Sequence, residues 1–87
     1  VTTTLTSPAP EVVDFLTAGI ARFTRQDPAA IRPDSALVDL GLQSIDAVLL
    51  SGEVEDHFGI ELDPATIFEH DTLASFASDI TARLKAR

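Results

Sequence analysis

Nucleophilic chemistry in this sequence has one conspicuous candidate, Ser44, set in the stretch DLGLQSIDAVLL from Asp39 to Leu50. A serine attacks only when a nearby base takes its proton. The stretch lacks the second glycine of a nucleophile elbow, and it follows a loop rather than a strand. Two histidines are available, His57 and His70. His57 falls near the far end of the helix that Ser44 opens, most of a helix length away. His70 has no carboxylate or hydroxyl at a suggestive spacing. Both read as surface or loop residues, so no serine–histidine–acid triad is expected. Metal binding is no better supported: the histidines are not an i, i+4 pair, cysteine is absent, and the acids follow no calcium-loop spacing. There is no glycine-rich phosphate loop and no basic aromatic surface for nucleic acid.

What remains is the position of Ser44. Serine just before an apolar helical run is a favoured N-cap, stabilising by about 1 kcal/mol. The same place suits a covalently attached phosphate, because a helix N-terminus offers unpaired N–H groups and the positive end of the dipole. Apolar Leu42, Ile45 and Val48 and acidic Asp39 and Asp46 surround it, a surface that a partner could read together with an attached group. The residues by themselves favour the plain cap.

The elements that must hold Ser44 follow from periodicity. Residues 1–9 lack any period and read as a flexible lead; residues 10–87 form the domain. Val12, Leu16, Ile20 and Phe23 recur at helical spacing and predict a first helix from Glu11 to about Thr24. Glu11 and Asp14 in its first turns and Arg22 and Arg25 in its last match the dipole. Gly19 weakens this helix and marks a close contact with a neighbour. A long connection runs from Gln26 to Gln43, with Ile31, Leu37, Leu40 and Leu42 to pin it and Asp34-Ser35 to begin a short helical turn.

The second helix spans Ser44 to Phe58, about 22 Å at 1.5 Å per residue. Ala47, Leu50, Val54 and Phe58 make its core stripe; Ile45, Val48 and Leu49 lie off it, and Gly59 ends it. Asp63 and Pro64 start a short third helix anchored by Ile67 and Phe68. Asp71 caps a fourth, where Leu73, Phe76, Ile80 and Leu84 face the core and Arg83, Lys85 and Arg87 sit at the C-terminal end. GIEL is too short for a strand. The fold class is therefore all-α: a four-helix bundle, three longer helices plus one short, with a long loop between the first two.

Composition bounds the function. The 87 residues make one domain, 45% hydrophobic and 23% charged, as in a folded globular chain. With no run of roughly 20 apolar residues and no signal pattern, a cytoplasmic, membrane-independent monomer is expected. The chain has no Met, which fits either removal of an initiator or origin as a segment of a longer chain. Six basic and fourteen acidic residues leave a net charge of −8. Between Pro33 and Ala82 there are eleven acids and no Lys or Arg. That field repels nucleic acid and anionic membranes and steers basic partners inward.

The segment DSALVDLGLQSIDAVLLSGEVEDHFGIELDPATIFEHDTLASFASDI, Asp34 to Ile80, resembles the acyl and peptidyl carrier proteins. LGLQSI is similar to the family's Leu-Gly-x-Asp/His-Ser-Leu/Ile pattern at the modified serine, and the acidic second helix and the start of the last helix follow in order. The resemblance implies a non-catalytic domain whose Ser44 is esterified by a phosphopantetheinyl transferase with 4′-phosphopantetheine. The arm's thiol would then carry an acyl or aminoacyl thioester between enzymes. It also implies contacts at Asp39, Leu42, Gln43, Ile45, Asp46, Val48, Leu49, Glu53 and Ile67 with partners bearing basic docking surfaces, such as an acyltransferase, ketosynthase or adenylating enzyme.

Gln43 departs from the Asp or His usual in the family, which bears on which transferase and partners accept the domain. Gly41-Leu42 is closer to the acyl type, and Leu49 stands where fatty-acid carriers commonly have an acid. The expectation is a polyketide-type acyl carrier of a specialised, antibiotic-like pathway. The alternatives are a peptidyl carrier, an acidic helical interaction domain with Ser44 as a plain cap, and, more distantly, a small serine hydrolase.

Overall fold

A computed structural model describes residues 7–86 of the protein. Residues 1–6, most of the expected lead, and Arg87 lie outside the described residues. The architecture is three long helices and one short one, α1 (Pro10–Thr24), α2 (Ser44–Phe58), a 3-10 helix (Pro64–Glu69) and α3 (Leu73–Ala86), with no strand among the described residues. Helix α1 begins one residue earlier than its apolar period predicts. Pro10 occupies the first helical position, where its missing N–H breaks no hydrogen bond. It ends with Arg25 in the left-handed region at φ 59°, and the Arg25 and Gln26 amides both donate to the Ala21 carbonyl.

The apolar periods form a common core. Val12, Leu16 and Ile20 of α1, Ala47, Leu50 and Val54 of α2, and Leu73, Phe76 and Ile80 of α3 are all fully buried. Gly19 is the close contact its position predicts: a Cβ there would lie 2.7 Å from Leu50 Cδ1. Helices α1 and α2 run antiparallel. Phe15, early in α1, stacks on His57 at 4.4 Å between ring centroids and meets Phe58 edge-on at 5.3 Å. Arg22, late in α1, pairs with Glu53, further back along α2. Helix α3 closes against the start of α1, where the Ala9 amide donates to Thr81 Oγ1 at 3.0 Å. Entry to α1 and the last turns of α3 thus share one pole, and Ser44 occupies the other.

The long connection is pinned as expected by Ile31, Leu37 and Leu40, all buried, and half-buried Leu42. Its helical turns lie elsewhere than Asp34-Ser35. They are Pro28–Ala30, capped by Asp27 Oδ1 accepting from Ala29 N at 2.9 Å, and Leu37–Asp39. Pro28, preset at the first position behind an aspartate, outcompetes Asp34, which lies in a plain turn. Two further expectations are corrected. The cap of α3 is Thr72, whose Oγ1 accepts from Ser75 N at 3.1 Å, while the Asp71 carbonyl accepts from Leu37 N at 2.9 Å. In the 3-10 helix Ile67 is buried but Phe68 is 60% exposed, because a single narrow turn presents only one side to the core.

One buried polar atom stands out. Ser51, inside the core face of α2, is 2% exposed and its hydroxyl has no hydrogen-bond partner among the described residues. A desolvated, unpaired hydroxyl is destabilising, and alanine is also the better helix former. Ser51→Ala is expected to raise stability by about 1 kcal/mol, a melting increase of about 4–8 °C. Gly19→Ala, which crowds fully buried Leu50, is expected to lower stability despite its gain in helix propensity. Thermal melts of the two variants check both.

Candidate functional site

Ser44 is the first residue of α2, not its cap. Gln43 takes the cap position, extended at φ −94° and ψ 167°, and its carbonyl accepts the first helical bond from Ala47 N at 3.0 Å. The Gln43 amide donates in turn to Asp46 Oδ2 at 3.0 Å, so the carboxylate of the third helical residue reaches back over the helix start. Relieved of capping, the Ser44 side chain is exposed and its hydroxyl makes no hydrogen bond among the described residues. The turn before it depends on Gly41, whose φ of +85° is open to glycine at little strain. Buried Leu40 and half-buried Leu42 hold that turn on either side, and Gln26 Nε2 donates to the Leu40 carbonyl at 2.7 Å.

The surroundings are more apolar than the charge map implies. Five large hydrophobic residues are exposed among the described residues: Val38 at 86%, Ile45 at 58%, Val48 at 48%, Leu49 at 48% and Phe68 at 60%. Val38 and Phe68 line a cleft of about 200 Å³ together with Leu37, Leu42, Ile67 and His70. The residue expected from the short helix, Ile67, is 2% exposed and lines that cleft. The sequence does not single out Val38, and it places Phe68 in the core as an anchor of the short helix rather than on the surface.

The acids are partly committed. Asp46 holds the Gln43 amide, Glu53 pairs with Arg22, and Glu55 Oε2 accepts from Leu62 N at 2.8 Å. Asp39 and Gln43 are exposed beside Ser44.

Residues 14–80 of the chain match the family described as the phosphopantetheine attachment site. The chain belongs to this family. Its members carry 4′-phosphopantetheine covalently on a serine and are carriers rather than catalysts. Over 71 residues the carrier domain is 35% identical to one of the phenolphthiocerol/phthiocerol polyketide synthase subunits of Mycobacterium tuberculosis, covering 82% of this chain and 4% of that protein. It is 35% identical over 63 residues to non-reducing polyketide synthase Dhc5 of Alternaria cinerariae, covering 72% of this chain and 3% of that one. The carrier domain therefore spans only a small part of the curated relatives it matches. Among solved structures, a free-standing peptidyl carrier protein from Acinetobacter baumannii superposes with a TM-score of 0.77 at 29% identity, covering 83% of this chain and 90% of that one. The HMG-ACPI domain of the CurA module from Lyngbya majuscula, at 22% identity and a TM-score of 0.79 over 99% of this chain and 88% of that one, shares the fold.

The residues at Ser44 fit the family's group. An exposed hydroxyl on the first residue of a helix places an attached phosphodiester at the positive end of the dipole, with an apolar cleft beside it.

One cluster departs from the expectation that His70 lacks partners. Its Nδ1 lies 2.6 Å from Ser75 Oγ and its Nε2 lies 2.9 Å from Asp79 Oδ2, while Asp79 Oδ1 accepts from Arg83 Nε at 2.9 Å. Sequence separations of five and nine across a helix boundary match no helical spacing. The order resembles a catalytic triad, but it lacks donors for an oxyanion. The first amides of α3 are all taken: Leu73 by the Ser35 carbonyl, Ala74 by that of Pro33, and Ser75 and Phe76 by Thr72. In this carrier domain the cluster is a brace joining the end of the 3-10 helix to α3. His57, stacked on Phe15, is packing. No group of three metal-ligating residues occurs among the described residues.

Burial by itself would raise the Asp79 carboxyl, but hydrogen bonds from His70 and Arg83 outweigh it and hold the group below its ordinary value. A lowered folded-state value adds stability above the ordinary carboxylate range, and that stability is lost as pH falls through the lowered value. Asp79→Asn is expected to lower stability at neutral pH and to flatten the loss on acidification. Urea midpoints measured from about pH 7 to about pH 3 check it.

Proposed function

We propose that Ser44 is the serine that carries the arm, and that the domain delivers acyl intermediates, held as thioesters, to enzymes of a polyketide-type synthase. The observation that carries this reading is the state of the serines within the matched residues. Ser51 is buried, Ser75 is bonded to His70, and Ser35 holds the Arg32 amide through Oγ at 2.9 Å. Ser78 is half-buried within α3, away from any helix start. Ser75 is exposed as well, but only Ser44 combines an exposed side chain free of hydrogen bonds among the described residues with the first position of a helix and a preceding glycine-dependent turn.

When bound, the arm supplies a thiol for the cargo. The chain's own residues do the positioning: Gly41 and the Gln43–Asp46 contact set the direction of the Ser44 side chain, and the amides at the start of α2 favour the phosphate. The polyketide assignment draws on the identity to synthase segments and on Gly41-Leu42. Partners on this reading are a phosphopantetheinyl transferase and acyltransferase or ketosynthase domains, in the cytoplasm where coenzyme A donates the arm. Carriage of an aminoacyl or peptidyl group, served by an adenylating enzyme, is the second reading, favoured by the likeness to the Acinetobacter peptidyl carrier.

Incubation with coenzyme A and a promiscuous phosphopantetheinyl transferase is expected to add the mass of one arm, read by intact-mass spectrometry. Ser44→Ala is expected to add none while keeping the wild-type melting temperature. A wild-type protein left unmodified by several active transferases, or an arm that persists in Ser44→Ala, overturns the assignment.

A further inference from the structure

The brace at His70 lies where the 3-10 helix turns into α3, and that junction is held from two sides. Its backbone is bonded to the connection before Ser44. The Asp71 carbonyl accepts from Leu37 N at 2.9 Å, and Leu73 N and Ala74 N donate to the Ser35 and Pro33 carbonyls at 3.1 and 2.8 Å. Its side chains are bonded to α3. Glu69 and Asp71 are exposed, while half-buried His70 and Thr72 reach into the helix. Thr72 Oγ1 accepts from Ser75 N at 3.1 Å. The His70 ring meets Ser75 and Asp79 at 2.6 and 2.9 Å and tilts against fully buried Phe76 at 5.9 Å between centroids. The backbone bond from His70 N to the Ile67 carbonyl is long, 3.4 Å, so the ring is the firmer anchor of this residue.

From the junction to the serine the path is short. Leu37 opens the turn that ends at Leu40, whose amide donates back to the Leu37 carbonyl at 3.1 Å. Gly41 follows, and Leu42, two residues before Ser44, lines the same cleft as His70. A shift of residue 70 therefore reaches the turn before Ser44 by two routes, the hydrogen bond at Leu37 and the packing in the cleft. Both ring nitrogens are committed within the brace, which leaves His70 no donor or acceptor for a substrate.

Resting on the attachment of the arm at Ser44, we infer that His70 is a positioning residue for arm transfer. Through Ser75 and Asp79 it fixes the junction from which the turn before Ser44 is hung, and so sets where the serine hydroxyl is presented. A reacting oxygen misplaced by about 1 Å costs rate, so the effect falls on kcat and not on KM. Beside an ionised Asp79, the neutral ring donates from Nε2 and accepts at Nδ1 from the Ser75 hydroxyl. A glutamine amide offers the same pair, one donor and one acceptor.

In the test, kcat and KM for arm transfer are measured with the carrier varied at saturating coenzyme A, beside amide hydrogen exchange read by NMR, at a temperature where melts show each variant folded. His70→Ala is expected to lower kcat by about tenfold or more, with KM within about threefold of wild type. Exchange at Leu37, Leu73 and Ala74 is expected to quicken by about tenfold, with Leu50 and Val54 unchanged. His70→Gln is expected to recover most of both losses. Arg83→Gln, which strips Asp79 of its other partner and leaves the His70 bonds, is expected to keep kcat within about twofold. Should His70→Ala not fold at the assay temperature, Ser75→Ala, which loses only the bond at Nδ1, carries the test with an expected fall of about threefold in kcat. A wild-type kcat in that variant, a rise in KM alone, an equal loss in Arg83→Gln, or a His70→Gln no better than His70→Ala overturns the inference while the attachment stands. So does a lowered kcat with unaltered exchange at the three junction amides. A wild-type protein that takes no arm overturns both.

Discussion

The placement of Ser44 depends on how the connection between α1 and α2 is tied to the start of α3. Leu37 N donates to the Asp71 carbonyl, Leu73 N to that of Ser35 and Ala74 N to that of Pro33, at 2.9, 3.1 and 2.8 Å. Ala36 and Thr72 form an antiparallel bridge within the same short zipper. These contacts serve two needs at once. They satisfy the first amides of a helix, which otherwise lack partners, and they anchor a segment with no long helix of its own. Released from this zipper, Leu37 and Leu40 would lose their seat and the turn before Ser44 its direction.

From that anchor the geometry propagates over a few residues. Leu40 is buried and tied by Gln26, Gly41 turns through the left-handed region, Leu42 returns to the surface of the core, and Gln43 starts the helix. Because Gln43 and Asp46 do the capping, the serine hydroxyl is left out of it. The same economy shapes the surface. Carboxylates that would extend an acidic field are used inside the fold, and bulky apolar side chains stand outward beside the serine. Sequence charge and surface character therefore differ here, since a carboxylate bonded to its own chain presents less to a visitor than its formal charge implies.

The legibility of the sequence followed the range of the forces involved. Helices α1, α2 and α3 were readable because each carries a long apolar period, and the bounds of α2 agree at both ends, Ser44 and Phe58. Gly19 and Gly59 were readable because each answers to one local requirement, close approach in the first case and a left-handed cap in the second. The caps were missed by one residue, Gln43 for Ser44 and Thr72 for Asp71, because neighbouring polar residues compete and the backbone route into the helix decides. Phe68 and the His70–Asp79 brace were not readable. The first turns on which side of a six-residue helix meets the core, the second on the meeting of two elements across a bend. At the site, the attached group and the family came from the order of LGLQSI within its segment; the structure added which side chains are outward and which acids are engaged.

The antiparallel course of α1 against α2, with Ala9 bonded to Thr81, has a mechanical consequence. The start of α1 and the end of α3 lie at the pole opposite Ser44. A polypeptide joined at either place would leave the domain from the pole away from Ser44. With such a join the domain would act as a lever, the length of α2 separating the pivot from Ser44. Rotation about such a join would swing Ser44 through an arc without refolding any part of the domain.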